Sequence, residues 1–258
     1  PEHKAYVTRI LAENGIDTKG LWDQGVPADY GDNLRAAGAM GVLQEALKHS
    51  QVKMVVNALG VPPPFMMQMA RDKGLLVGAL TGAKEHAIRH AEAGVDVLIA
   101  AGGEAGGHCG EVATLVLVPE VIDAVKEFPN LFVLAAGGVV TGRQMAACMA
   151  MGADGVWCGS VWLTTAEAET NPAVKEKMLA ASSRQTVRSR SRTGKYTRQL
   201  RSPWTDAWQQ PEAPEPLPMP LQGLVSEPAL SRIDKLAQSG DPAARKLATY
   251  WVGQGVGL

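Results

Sequence analysis

Five short runs constrain this chain more than any other feature: "VKMVVNALG" (52–60), "LLVGALTG" (75–82), "VDVLIAAG" (95–102), "LFVLAAGGV" (131–139) and "GVWCGSVWL" (155–163). They are apolar on both faces rather than alternating, which is how strands of a parallel sheet covered by helices read. Interleaved with them are stretches of helical spacing: "PPFMMQMARDKG", "AKEHAIRHAEAG", "TLVLVPEVIDAVKE", "TGRQMAACMAMG" and "NPAVKEKMLAAS", with "NLRAAGAMGVLQEALKHS" ahead of the first run. The alternation predicts a βαβ chain of the α/β class. The runs end in glycine or small residues, where the backbone turns tightly and can come close to a ligand. The working face is therefore expected at the carboxyl ends of the strands, in an eight-stranded barrel and in a doubly wound sheet alike.

After residue 183 the character changes. "SRQTVRSRSRTGKYTRQLRS" is basic and polar, and "PWTDAWQQPEAPEPLPMP" carries six prolines between 203 and 220, a spacing that suggests an extended connection. "EPALSRIDKLAQ" and "DPAARKLATYW" then read as two short helices, each opened by an acidic residue with Pro228 or Pro242 in the first turn. The expected organisation is a helical segment over 1–50, a βα portion over 51–183, and a basic, proline-rich cap over 184–258.

The charge balance narrows the partners. With 25 Lys and Arg against 26 Asp and Glu, the net charge is -1, which argues against nucleic acid or an anionic membrane as the main ligand. No apolar run approaches the roughly 18 residues needed to cross a bilayer. Cys109, Cys148 and Cys158 are odd in number and lack metal-ligand spacing, so neither a disulfide framework nor a metal site is signalled. A cytoplasmic protein acting on a small molecule is the expectation; assembly into a homo-oligomer stays open.

Three glycine-containing strand ends carry the candidate chemistry: "GGEAGGHCG", "AAGGVVTG" and "WCGS". Gly137 and Gly138 directly precede a helix opening near Thr141, so backbone N–H groups and the positive helix end suit a phosphate. In barrel enzymes the loops after the last two strands often build such a site, and these two loops stand in that order. Sharp turns alone would also account for a Gly-Gly pair. His108 follows Gly106 and Gly107, where its imidazole can approach a ligand and act as acid or base near neutral pH. Glu104 reads first as a solvated carboxylate, with orienting or capping its loop as the alternative. The dinucleotide fingerprint GxGxxG and the P-loop motif are absent.

In combination, "EAGGHCG", "LAAGGVVTGRQMAACMAMGADGVWCGS" and the closing "YWVGQGVGL" resemble the nitronate monooxygenase family, also called 2-nitropropane dioxygenases. Members are FMN-containing (β/α)8 barrels, and relatives reduce enoyl thioesters or act on CoA thioesters. The resemblance implies that Gly106, Gly107, Gly137 and Gly138 contact FMN, that Trp157, Cys158, Gly159 and Ser160 close round its phosphate, and that His108 is catalytic. Members usually have glutamine where this chain has Ala101, which implies an altered contact to the flavin ring. A barrel needs eight strands; five candidates imply a TIM-type barrel truncated to its last five strands, with a carboxyl-terminal cap. The implied reaction is oxidation of alkyl nitronates or nitroalkanes by dioxygen. The alternatives are NAD(P)H-dependent reduction of an unsaturated CoA or acyl-carrier thioester, with the arginine-rich run from Arg184 to Arg201 either gripping CoA phosphates or forming a solvated basic face, and a non-catalytic flavin-binding fragment.

Overall fold

The computed structural model describes residues 1–23 and 36–258. Contacts gather them into two units. A β/α unit holds the described residues up to Glu104 that follow the amino-terminal segment, together with Gly110–Cys158. A helical unit holds the amino-terminal segment, Ala105–Cys109 and Gly159–Leu258. The grouping cuts across the linear segments expected from sequence, because α1 (Glu2–Glu13) packs its Tyr6, Val7, Ile10 and Leu11 face into the same core as the carboxyl-terminal helices.

In the β/α unit, α2 (Ala36–Ala46) is described from its fourth expected residue; positions 33–35 lie outside the described residues. Then come β1 (Met54–Asn57), α3 (Pro64–Asp72), β2 (Leu76–Thr81), α4 (Lys84–Glu92) and β3 (Val97–Ala101). The chain next gives a two-residue strand, β4 (Gly107–His108), to the helical unit, and returns as α5 (Thr114–Val125), β5 (Phe132–Ala136), α6 (Gly142–Ala150) and β6 (Gly155–Trp157). The sheet is parallel, ordered β1-β2-β3-β5-β6. All five residues of β3 are buried, as a centrally placed strand with both faces covered requires. On one face Val77, Ala79, Leu98, Ala100, Val133 and Ala135 meet Leu117, Val118 and Val121 of α5 and Ala87 and Ala91 of α4. On the other face Val56 and Ile99 close over Gly78, where a Cβ would stand 3.0 Å and 3.2 Å from their side chains.

A repeated device starts two strands. Asp96 and Asp154 each follow a helix and turn back, so that Asp96 Oδ2 accepts from Val77 N–H at 2.8 Å and Asp154 Oδ2 from Val133 N–H at 2.7 Å. These carboxylates satisfy strand-end donors that the ladder leaves unpaired.

The fifth run departs from its expected form. Only Gly155–Trp157 is strand; Gly159 adopts αR geometry (φ -112, ψ -60) and Ser160–Trp162 forms a single 3-10 turn. The chain thereby leaves the sheet where the "WCGS" loop begins.

The helical unit continues with α7 (Pro172–Ala180) and a hairpin, β7 (Thr186–Ser189) and β8 (Thr197–Leu200), to which β4 adds in antiparallel order β4-β8-β7. This hairpin lies in the stretch read only as basic and polar. The expected extended connection over 203–220 is corrected at its start. Pro203 opens α8 (Pro203–Ala207) beneath a Ser202–Thr205 capping box, because its fixed φ and missing N–H suit the first helical position. Likewise α9 (Leu221–Gln238) begins before Glu227, so Pro228 is interior rather than in a first turn. The buried face of Val225, Ala229, Leu230, Ile233 and Ala237 holds the helix through it, offsetting the lost hydrogen bond. α10 (Pro242–Leu247) opens as expected, with the Asp241 carboxylate accepting from Ala244 N–H at 2.8 Å. No described helix is long and apolar enough to cross a membrane.

Candidate functional site

In the β/α unit, the loops after β3 and β5 are fastened through one residue. Thr114, the first residue of α5, donates its N–H and its hydroxyl towards Glu104 Oε2, each at 2.9 Å. Ala113 at the N-cap position supplies no capping side chain, so the Glu104 carboxylate takes that place and meets the positive helix end. The Thr114 hydroxyl also lies 3.0 Å from Gly137 O and 3.3 Å from Ala136 O. Packing here leaves no room for a side chain at residue 102, where a Cβ would stand 2.2 Å from Thr114 Oγ1. Glu104 thus caps rather than standing as a solvated carboxylate.

Gly137 and Gly138 both have left-handed backbone, φ 101 and 72, a conformation that only glycine adopts at little cost. The helix start that follows is closed from within. Thr141 Oγ1 accepts from Gln144 N–H, while Gln144 Oε1 accepts from the N–H groups of Val140 (2.9 Å) and Thr141 (3.0 Å). Gln144 Nε2 donates to Gly138 O at 2.8 Å, so the side chain that caps α6 also fixes the glycine pair. Trp157 is exposed, and the Cys158 thiol lies 3.5 Å from Val139 O.

In the helical unit, the loop bearing His108 is held by the end of the chain. A Cβ on Gly106 would stand 2.7 Å from both Gly253 N and Val252 C, so this glycine is required by close backbone approach. The Gly253 N–H donates to Ser160 Oγ at 2.7 Å. β4 sets His108 opposite Thr197, and His108 Nε2 lies 2.9 Å from Thr193 Oγ1 at the hairpin turn. The Trp251 ring packs 6.4 Å from the imidazole, tilted 42°. His108 is exposed, yet the atoms packed round it push its pKa below the usual histidine value, with the Lys195 ammonium adding to the effect. The lowered pKa favours the neutral imidazole.

The arginine-rich run is engaged rather than spread as a basic face. Arg190 pairs with Glu215, Arg201 with Asp206 at 2.8 Å, and Arg198 donates to Thr186 Oγ1 at 2.9 Å. Arg192 is buried, 3.5 Å from Glu227, with its guanidinium 4.9 Å from the Trp251 ring centre. Thr114, Thr193 and Trp251 escaped the sequence reading. The turn glycine Gly194 beside Thr193, φ 85, was the available signal for the hairpin.

A model of the nitronate monooxygenase family matches residues 25–258. The chain belongs to that family. Among relatives of this family member, a Mycobacterium tuberculosis protein provisionally named a monooxygenase is 52% identical over 257 residues, covering 99% of this chain and 67% of that one. An octahydro-indene-carboxyl-CoA dehydrogenase of Rhodococcus jostii is 36% identical over 192 residues, covering 74% of this chain and 52% of its own length. The chain thus spans between half and two thirds of these relatives. Among solved structures, the nitroalkane oxidase of Streptomyces ansochromogenes aligns with a TM-score of 0.76 at 26% identity, over 99% of this chain and 71% of that one. FabK of Thermotoga maritima aligns at 0.64 and 26%, over 98% and 82%. Family and neighbours bear out the barrel-type α/β fold and the class of flavin-dependent oxidoreductase.

Taken unit by unit, the glycine backbone of these loops suits a flavin. Gly107 has left-handed backbone (φ 76), and nothing among the described residues lies within 4 Å of where a Cβ would stand on Gly159, so packing does not explain glycine there. The left-handed pair at Gly137 and Gly138 adds a backbone shaped for close approach to a ligand.

Proposed function

We propose that the protein is an FMN-dependent oxidoreductase that oxidises alkyl nitronates with dioxygen. The observation that carries this reading is His108, an exposed imidazole seated in a glycine loop of a nitronate monooxygenase family member. Gly137, Gly138, Trp157, Cys158, Gly159 and Ser160 would hold the cofactor's phosphate end, and Gly106 and Gly107 would lie against its ring. When bound, FMN supplies a two-electron acceptor that dioxygen restores. His108 can take the α-proton of a nitroalkane on the ring nitrogen that keeps its lone pair, or, carrying a proton there, donate it to the oxygen of a nitronate that is already an anion. Trp251 packs beside the imidazole.

Likeness to the CoA dehydrogenase and to FabK favours a second reading, NAD(P)H-dependent reduction of an unsaturated CoA or acyl-carrier thioester. Arg190 and Arg192 are poor phosphate ligands for it, since both already pair with carboxylates; Arg184 and Lys195 are exposed. Oxygen uptake by flavin-loaded protein given propane-2-nitronate without NADH tests the first reading, with His108→Asn expected to lose most of it. NADH oxidation dependent on an enoyl-CoA, with no uptake on nitronate, would overturn it in favour of the second.

A further inference from the structure

We propose that Thr193 is a positioning residue that sets the tautomer of His108, holding Nε2 as the N–H and leaving Nδ1 as the nitrogen that meets a proton. The role of Nδ1 in chemistry rests on the proposed acid-base function of His108; the tautomer itself does not.

Counting hydrogen bonds makes the assignment. Thr193 Oγ1 lies 2.9 Å from His108 Nε2, 3.3 Å from Lys195 N and 3.3 Å from Lys195 O. A hydroxyl has one proton to give and two lone pairs. The Lys195 N–H can only donate to it. If the hydroxyl proton goes to Lys195 O, Oγ1 accepts from both Lys195 N–H and His108 Nε2–H, and three bonds form. If it goes instead to an unprotonated Nε2, Lys195 O loses its partner and only two form. The arrangement with more bonds has the proton on Nε2. Nδ1 makes no hydrogen bond among the described residues and keeps its lone pair.

The surroundings hold this arrangement. β4 pairing fixes the His108 backbone against β8, the hairpin turn at Gly194 presents Thr193, and Trp251 packs on the ring. Among charged neighbours, Lys195 acts on the ring from the same hairpin. From β8 the Arg198 guanidinium is turned to Thr186, and behind Trp251 Arg192 is paired with Glu227. A carboxylate partner, the usual alternative for fixing a histidine tautomer, is not supplied by these elements.

Nitrogen-15 NMR of the full chain labelled at histidine tests the proposal, with His108 assigned by its loss in His108→Gln. At neutral pH the expected spectrum has a protonated Nε2 and a pyridine-like Nδ1. Thr193→Val, checked for an unchanged fold by circular dichroism, should give a mixture of tautomers, and Thr193→Ser should restore the single one. In flavin-loaded protein Thr193→Val should lower kcat/KM by up to about tenfold, the worth of one such hydrogen bond, and Thr193→Ser should recover it. Protonated Nδ1 in the wild type, or an unchanged tautomer in folded Thr193→Val, would overturn the proposal. Absence of nitronate oxidation alongside the expected tautomer would overturn the functional reading and leave the role of Thr193 standing.

Discussion

Thr114 reaches Glu104 with both its amide and its hydroxyl, and through the same hydroxyl touches the carbonyls before the Gly137–Gly138 turn. Glu104→Ala removes a helix cap, and should lower stability by about 1 kcal/mol in urea unfolding. Gly102→Ala drives a Cβ into the Thr114 side chain and should cost about 1–3 kcal/mol as an overpacked site. Either change reads out the fastening of two loops rather than a generic surface effect; stability within 0.3 kcal/mol of wild type in urea would contradict it. A second residue-scale effect is pH-linked. His90 is 2% exposed, its Nδ1 has no hydrogen-bond partner among the described residues, and burial together with His86 and Arg89 lowers its pKa below the ordinary 6.5. The unfolded chain then binds a proton that the folded one resists. Stability should be complete above about pH 6.5 and fall as pH drops through the lowered value, and replacing His90 by Leu should flatten that acid slope. The glycine loop drew attention to His108, whereas for Glu104 it left a solvated carboxylate and a loop cap both open. Thr114 and Thr193 were not, because each acts on a partner 10 to 85 residues away, and local pattern does not show which hydroxyl will meet which loop.

At the scale of elements, the strands were legible because covered parallel strands are apolar on both faces, and the helices because their buried faces repeat at three and four residues. The β7–β8 hairpin was hidden by its arginines. A run of guanidinium groups reads as a solvated face, but here Arg192 lies under Trp251 and Arg198 is buried between strands. Proline misled in two directions, since Pro203 starts a helix and Pro228 sits within one. The consequence is testable in Arg192→Ser. Loss of a buried stem, an aromatic contact and a partner for the half-exposed Glu227 should lower stability by about 1–3 kcal/mol. A thermal melt reads this directly, whereas an unchanged melt with a raised KM for a CoA thioester would return Arg192 to the role of phosphate ligand.

At the scale of the whole molecule, the sequence motifs that mark the family fall on loops whose close approaches explain them. Gly106 meets Val252 and Gly253, Ser160 accepts from Gly253, and Gly138 is tied to Gln144. The closing "YWVGQGVGL" is thus a structural partner of the His108 loop, which its lack of charged or nucleophilic residues concealed. Fold class follows from the patterning of strands and helices, but the reaction depends on what His108 faces. The most direct measurement mixes flavin-loaded protein anaerobically with propane-2-nitronate and follows the flavin absorbance. Rapid bleaching without NADH, reversed on admitting oxygen and slowed in His108→Asn, is the predicted result. Bleaching by NADH alone, with none by the nitronate, would contradict the account.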